Sequence, residues 1–324
     1  MEEYFRLIGM DCSEKLHREI EGALHLVELP SKDYYAQITP NWRGECPMHS
    51  PDGWCALQLE CGEEALPELC RVYPRSLQWD GTRKLCVCSA SCEAEVERLL
   101  HLREPLRLVE TVMLTQHPEL REQVPEGAAE ALQGVLRAMQ HRERTLPERL
   151  RDVAEQLGAP VAAQPADAQA ALHVMMALVP GMLEDSASLR HYAGNVLERY
   201  AQPDRRLAAW QGDDGTLNRL LPDWPVFLEQ LLCNHLCYEH FPYGDARLGK
   251  AEAWTGLVVL YGLLRLIIAG VVAREAASET AQREQALVDA VAGTFRFVEH
   301  TGFSCNAAHD LRRLGLRADA VLGL

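Results

Sequence analysis

Apolar residues return every three or four positions through most of the chain after residue 100, which is the spacing of helices. Before that point the pattern is shorter and more irregular, with Pro30, Pro40, Pro47 and Pro51 interrupting it. The pattern therefore predicts a mainly α fold. A multi-helix C-terminal body is expected to follow a loop-rich, cysteine-containing N-terminal segment.

The C-terminal body is expected to be a continuous series of helices separated by turns. Pro203-Asp204 and the run from Gly212 to Gly215 are predicted as turns, because proline, glycine and aspartate favour them. The predicted helices cover residues 126–144, 147–157, 166–178, 186–201, 216–221, 225–240, 251–274, 279–299 and 305–314.

Shorter elements are predicted in the N-terminal segment. A helix is expected over 11–27, with Leu16 and Ile20 on its apolar face. A short strand or tight loop over 53–59 precedes a brief helix that carries Cys70 and that Pro74 ends. An extended piece over 84–88 and a helix beginning at Cys92 follow. The predicted domains are 1–100, a cysteine-rich cluster- or metal-binding region, and 101–324, an all-helical domain.

The stretch 255–273 is long and apolar enough to be compared with a membrane span. Arg265 lies at its centre, where a charge is costly in lipid. We therefore expect a helix buried inside the protein and no membrane span.

Composition narrows the choice of partner. Asp and Glu number 47 against 32 Lys and Arg, a formal net charge of -15. This balance argues against binding to a nucleic-acid backbone, which needs clustered cations, and suits a basic protein partner. The acidic start, Met1 to Phe5, is not followed by a long apolar run, so we expect a cytoplasmic protein without a secretory signal.

The cysteines carry the sharpest chemical signal. Seven of the eleven lie between positions 46 and 92. In a cytoplasmic chain such density favours a metal or an iron–sulfur cluster over disulfides, because thiolates bind both. Cys46, Cys55, Cys70 and Cys92 form the favoured four-thiolate set, and the remaining three, Cys61, Cys86 and Cys88, are spare thiols or alternative ligands. No CxxC step is present, and buried cysteines without a metal are the alternative.

The order of these motifs resembles the flagellin lysine-N-methylases, the FliB family. The resemblance rests on Cys46, on GWCALQ over 53–58, on GEEAL over 62–66, on CRVYPR over 70–75 and on SASCE over 89–93. In the C-terminal body FLEQLL over 227–232, Phe241-Pro242 and Glu299-His300 are also similar.

The resemblance implies a bacterial, S-adenosylmethionine-dependent N-methylation of lysine side chains on a protein substrate such as flagellin. It also implies that Cys46, Cys55, Cys70 and Cys92 hold an iron–sulfur cluster, of the 4Fe-4S kind. The family pattern has a cysteine-dense segment before its first helix, whereas this chain has only Cys12, at the start of the helix predicted over 11–27. The sequence also has no GxGxxG loop for the methyl donor.

Tyr73 and Arg75 are the predicted catalytic residues, as the other members of the CRVYPR motif. Arg75 could bind a carboxylate in a bidentate fork or pin the Pro74 turn through a salt bridge. Tyr73 could act as a general base, form an aromatic wall for a lysine ammonium, or simply be half-buried core.

A binding module is the rival interpretation. In it the same cysteines hold a structural zinc, and the acidic helical body docks a basic protein segment without catalysis. Cys233, Cys237 and His240 share one face of a predicted helix and are a conceivable second metal site. Their leucine neighbours favour core packing instead.

Overall fold

The structure of the protein, a computed structural model, describes residues 1–32, 34–39, 46–50, 52–79, 84–111 and 125–324. The irregular part of the sequence, interrupted by Pro30, Pro40, Pro47 and Pro51, lies partly outside these ranges, at residues 33, 40–45 and 51. Internal contacts divide the chain into two units, Met1–Tyr73 and Pro74–Leu324. The sequence places the boundary at residue 100, whereas the structure assigns the segment from Pro74 onward to the helical unit.

The first unit consists of short helices and an antiparallel strand pair. Its elements are α1 (Glu2–Ile8), α2 (Glu14–Ala23), β1 (Leu24–Leu26), β2 (Ala36–Ile38), α3 (Ala56–Cys61), a 3-10 turn (Glu63–Ala65) and α4 (Glu68–Val72).

Local chemistry explains where these helices begin and end. The Ser13 side chain accepts a hydrogen bond from the Leu16 amide, which caps α2. Leu16 and Ile20 are buried beside Leu57 in the core of this unit. The helix expected over 11–27 ends at Ala23, because the chain continues as β1. The prediction of a strand or loop over 53–59 is wrong from Ala56 onward, where α3 begins.

The second unit is a helical body with a β-hairpin at its start, and its elements confirm the mainly α fold class. They are β3 (Arg75–Trp79), β4 (Lys84–Cys88), α5 (Glu93–His101), α6 (Ala128–Met139), α7 (Leu146–Leu157), α8 (Ala168–Asp185), α9 (Ala187–Glu198), α10 (Pro203–Leu220), α11 (Trp224–Tyr238), α12 (Lys250–Arg274), α13 (Thr280–Val298), α14 (Phe303–Leu314) and a 3-10 helix (Ala318–Gly323). Val87, Val96 and Leu100 join its core, which is why the hairpin and α5 belong to this unit.

Helix α12 runs through the centre of this unit and packs against α9, α10, α13 and α14. It is long and apolar enough to cross a membrane, and 94% of its most apolar window is buried inside the protein. The expectation of a buried helix at this position is confirmed. At Gly270 it passes close to α9, where an added Cβ would lie 2.9 Å from the Cβ of Val196.

Arg265, in the middle of α12, is only 4% exposed and is accommodated by aromatic rings and a carboxylate. Its guanidinium lies 4.7 Å from the ring centre of Trp210 and 3.8 Å from that of Trp224. One of its nitrogens donates to Asp214. The interactions of the guanidinium with the two ring faces and with the carboxylate offset the cost of removing the cation from water.

Helix α10 corrects the two turns predicted in its sequence. Pro203 is its first residue, where a proline costs no hydrogen bond. The helix continues through 212–215, because both aspartates there are held by tertiary contacts. Asp213 accepts from Arg199 at 2.7 Å and from the Tyr200 hydroxyl at 2.8 Å, and Asp214 pairs with Arg265. These contacts override the local preference for a turn.

Removing the carboxylate beside Arg265 tests this arrangement. We expect Asp214→Ala to lower the free energy of unfolding by about 3 kcal/mol, because a buried cation then lacks its partner. The double variant Asp214→Ala/Arg265→Met is expected to recover most of this loss, since it leaves no buried charge. Urea denaturation followed by tryptophan fluorescence measures both.

The exposed pair Arg313–Asp310, 3.2 Å apart, provides the matched control. Asp310→Ala is expected to change stability by less than about 0.5 kcal/mol, as is usual for surface ion pairs. Equal losses in Asp214→Ala and Asp310→Ala would contradict the role assigned to the buried pair.

Candidate functional site

Three of the four predicted ligands lie in the first unit and influence one another. Cys46 and Cys70 are exposed, and Cys55 is half-buried at the N-cap of α3. Protein atoms around the Cys70 thiol reduce its hydration and raise its pKa, and negative charge on Cys46, Cys55 and Glu3 raises it further. The structure thus brings these three thiols within electrostatic range of one another.

Backbone contacts and the first helix hold this thiol group in place. His49 pairs with Cys55 in an isolated β-bridge, and the His49 amide donates to the Cys46 carbonyl at 2.9 Å. Arg6 of α1 donates to the carbonyls of Ala65 and Leu66 at 2.9 and 3.0 Å. The Glu3 carboxylate accepts from the Glu68 amide at 2.6 Å, at the start of the helix that carries Cys70. Helix α1 therefore fixes the position of α4.

The donor chemistry of this group suits a metal or cluster. Burial is the main cause of the raised pKa of Cys70, and a bound cation would offset the smaller part that negative charge on Cys46 and Cys55 adds. Within the described residues, no group of three or more His, Cys, Asp or Glu side chains is arranged to hold a metal ion. The four-thiolate site therefore stays a prediction.

Two further cysteines of this unit form a separate pair. The thiols of Cys12 and Cys61 lie close enough to influence each other's pKa, and burial raises the pKa of both. Both pack against the core of the first unit. Cys61, one of the spare thiols of the sequence analysis, is thus a neighbour of Cys12.

The β-hairpin places Arg75 beside two other thiols. Arg75 lies opposite Cys88 in the strand register, and Cys86 lies opposite Leu77. Burial raises the pKa of Cys86, and the charge of Arg75 opposes this rise. Tyr73 ends α4 and is 46% exposed. The catalytic roles of Tyr73 and Arg75 stay predictions.

Cys92, the fourth predicted ligand, is the N-cap of α5 in the second unit, and a buried polar network begins just before it. Ser89 donates to the Glu299 carboxylate and also bonds to Ser91 at 2.5 Å. Because Ser89 has one proton to give, Ser91 donates to Ser89, and His300 Nε2 donates to Ser91 across 3.1 Å. Two stretches that carry the family resemblance, 89–93 and 299–300, therefore meet.

Helix α11 adds buried polar side chains to the same region. Nδ1 of His235 lies 3.6 Å from Oε1 of Glu299, and both side chains are almost fully buried. The Asn234 amide donates to the Cys88 carbonyl at 2.9 Å, which ties α11 to β4. One turn earlier, buried Glu229 accepts from Arg149 at 2.7 Å and from Arg142 at 2.8 Å.

The sequence pattern predicts no role for Glu299, His300 or His235. A signal was present, because Glu229, Gln230, Asn234 and His235 are polar residues in an otherwise apolar helix, and all are buried. Nearby, Cys233 and Cys237 are fully buried, and loss of hydration raises the pKa of both thiols. Their burial is consistent with the core-packing interpretation.

No family model, curated protein or solved structure matches the chain.

The Cys12–Cys61 pair leads to a prediction about oxidation. In metal-free protein treated with a mild oxidant such as diamide, we expect the first disulfide to join Cys12 and Cys61, since thiols in contact need little backbone movement to bond. Peptide mapping by mass spectrometry identifies the linked residues. Cys12→Ser is the control, and it should leave Cys61 reduced. A first link between Cys55 and Cys70 would contradict the pairing.

Proposed function

We propose that the chain is an S-adenosylmethionine-dependent protein lysine N-methylase that carries a cysteine-bound iron–sulfur cluster. The observation that supports this most strongly is the electrostatic influence of Cys46 and Cys55 on the Cys70 thiol in the first unit, since thiolates are the ligands that such clusters use. These are three of the four cysteines that the resemblance to the FliB family implies.

The roles of the remaining residues follow from their chemistry. A bound cluster would supply redox-active iron at the cysteine site. Cys92 is the fourth ligand of the proposal. Arg75 binds a carboxylate of the donor or the substrate through its planar guanidinium, and Tyr73 offers a partly exposed ring to a lysine ammonium.

The charge of the chain supports a basic protein as substrate. A formal net charge of -15 attracts a lysine-bearing surface and speeds its encounter at low ionic strength. Flagellin is the substrate that the resemblance suggests, in the bacterial cytoplasm.

Metal content tests the cluster. Protein purified without oxygen is expected to be brown, with about four irons per chain. Cys70→Ser is expected to lose most of this iron, because it removes a thiolate ligand, whereas Cys86→Ser on the hairpin retains it. Iron and zinc are measured by elemental analysis. A colourless protein with one zinc per chain would favour the docking module, in which Cys70→Ser mainly lowers stability.

Methyl transfer tests the reaction. With labelled S-adenosylmethionine, cluster-loaded protein is expected to transfer label to flagellin, and flagellin with acetylated lysines is expected to accept none. Cys70→Ser is expected to abolish transfer, and Cys86→Ser to preserve it. If the protein has its full iron content but transfers no label to flagellin or another lysine-rich protein, the cluster would be supported and the methylase activity refuted.

A further inference from the structure

A half-open cleft of about 570 Å³ lies in the second unit. Its wall comes from four separate segments, which are residues 160–162 after α7, the beginning of α12, the second half of α14 and residues 316–319. Proteins bind small molecules in clefts of about 300–1,000 Å³. The cleft therefore has the size of a site for a small organic ligand.

Alanines in the wall keep this space open. One lies on each of the four segments, and they are Ala162, Ala251, Ala308 and Ala318. Because an alanine side chain ends at Cβ, none of them reaches across the cleft. Val161, Leu311 and Leu316 add larger aliphatic surfaces to the wall. A ligand that fills the cleft must therefore have an apolar body.

Two ion pairs supply the charged part of the wall. Arg312 donates to Glu252, and Nε of Arg317 donates to Asp319 at 3.0 Å. Asp319 is only 4% exposed and also accepts from the Ala162 amide at 2.7 Å. Burial would raise the pKa of Asp319, but these hydrogen bonds and the charge of Arg317 lower it below its usual value. A backbone hydrogen bond and Arg312 lower the pKa of Glu252. Both carboxylates are therefore ionised at pH 7 and balance the two arginines.

A third guanidinium, that of Arg151 on α7, lies behind the wall. Its Nη1 donates to the Ala162 carbonyl at 3.1 Å. Its Nη2 is buried and has no hydrogen-bond partner among the residues that the structure describes. The charge of Arg151 also helps to lower the pKa of Asp319. Three guanidinium groups thus stand against two carboxylates here, in a chain whose formal net charge is -15. This local excess of positive charge favours one negative charge on the ligand.

The two arginines of the wall have N–H groups left for that charge. Toward the carboxylates Arg317 uses Nε and Nη2, and Arg312 uses Nη2. In the described part of the chain neither side chain makes a further hydrogen bond, and the two are 61% and 67% exposed. A planar guanidinium can bind two carboxylates at once, so an anion can bind without breaking either ion pair.

We propose that this cleft binds a small apolar monocarboxylate. The hydrocarbon body lies against the aliphatic wall, and the carboxylate binds Arg312 and Arg317. An uncharged molecule of the same shape leaves the excess positive charge without a partner, and a cation is repelled by it. The proposal is independent of the methylase, since it involves neither the cysteines nor a lysine.

Octanoate is the probe for this site, and octan-1-ol, with the same chain length and no charge, is its control. Saturation-transfer NMR titrations of the full-length protein at pH 7 measure both. We expect octanoate to bind, and octan-1-ol to bind at least about tenfold more weakly, because it lacks the hydrogen bonds between two charged groups.

Arg312→Gln tests the charged part of the site. It is expected to weaken octanoate binding about tenfold and to leave octan-1-ol binding unchanged. Arg313→Gln is the matched control, because Arg313 is the next residue of α14, is exposed, pairs with Asp310 and does not line the cleft. It should change the binding of neither probe.

Ala251→Leu tests the apolar part, because the larger side chain occupies the cleft without changing charge. It is expected to abolish the binding of both probes. Near-ultraviolet circular dichroism checks the fold of each variant. Should Ala251→Leu fail to fold, Ala162→Leu on the stretch after α7 carries the same expectation.

The proposal is overturned if the folded wild type does not bind octanoate, if octan-1-ol binds as tightly, or if Arg313→Gln weakens octanoate binding as much as Arg312→Gln. The methylase is judged separately by iron content and methyl transfer. Octanoate binding that Arg312→Gln weakens, in a protein that transfers no methyl group, would support the cleft and refute the methylase. Methyl transfer by a protein that does not bind octanoate would do the reverse.

Discussion

The contact between Arg265 and Asp214 fixes how the central helices of the second unit pack. Helix α12 is apolar on all sides, so hydrophobic burial alone does not define its rotation. The single guanidinium at its centre does, because it must lie between the rings of Trp210 and Trp224 and reach the carboxylate on α10. Any other rotation would bury an unpaired cation, at a cost of several kcal/mol. This contact therefore sets how α12 is rotated relative to α10 and α11.

Much of the fold follows from the sequence pattern, and the exceptions have a physical cause. Apolar residues at helical spacing predict the core helices correctly. Such a helix forms because it buries one face, or its whole surface, in the core. The turns predicted at 203–204 and 212–215 are wrong. Pro203 begins α10, and the two aspartates within the helix are held by tertiary contacts: Asp213 by Arg199 and Tyr200, just after α9, and Asp214 by Arg265 on α12. Contacts between residues so far apart in the chain leave no local pattern.

The candidate sites are predictable to different degrees. The density of cysteines marks the group of Cys46, Cys55 and Cys70 directly. The buried polar network around Glu299 gives a weaker signal, because Ser89, His235 and Glu299 come from separate segments of the chain. The polar residues within the apolar sequence of α11 are the signal that can be found from the sequence, because a helix buries such groups only where they have hydrogen-bond partners.

The anchoring of α4 by Glu3 and Arg6 has a consequence for how the protein matures. The contacts described for Cys46, Cys55 and Cys70 come from the first 73 residues, and the described residues of this stretch have their own core. A ribosome completes this stretch well before the second unit, and such a segment can fold while synthesis continues. The three thiols can then reach their places before the long helices exist. In the proposed cluster protein, three of the four ligands would thus be in place early, and Cys92 would complete the set once the second unit is made.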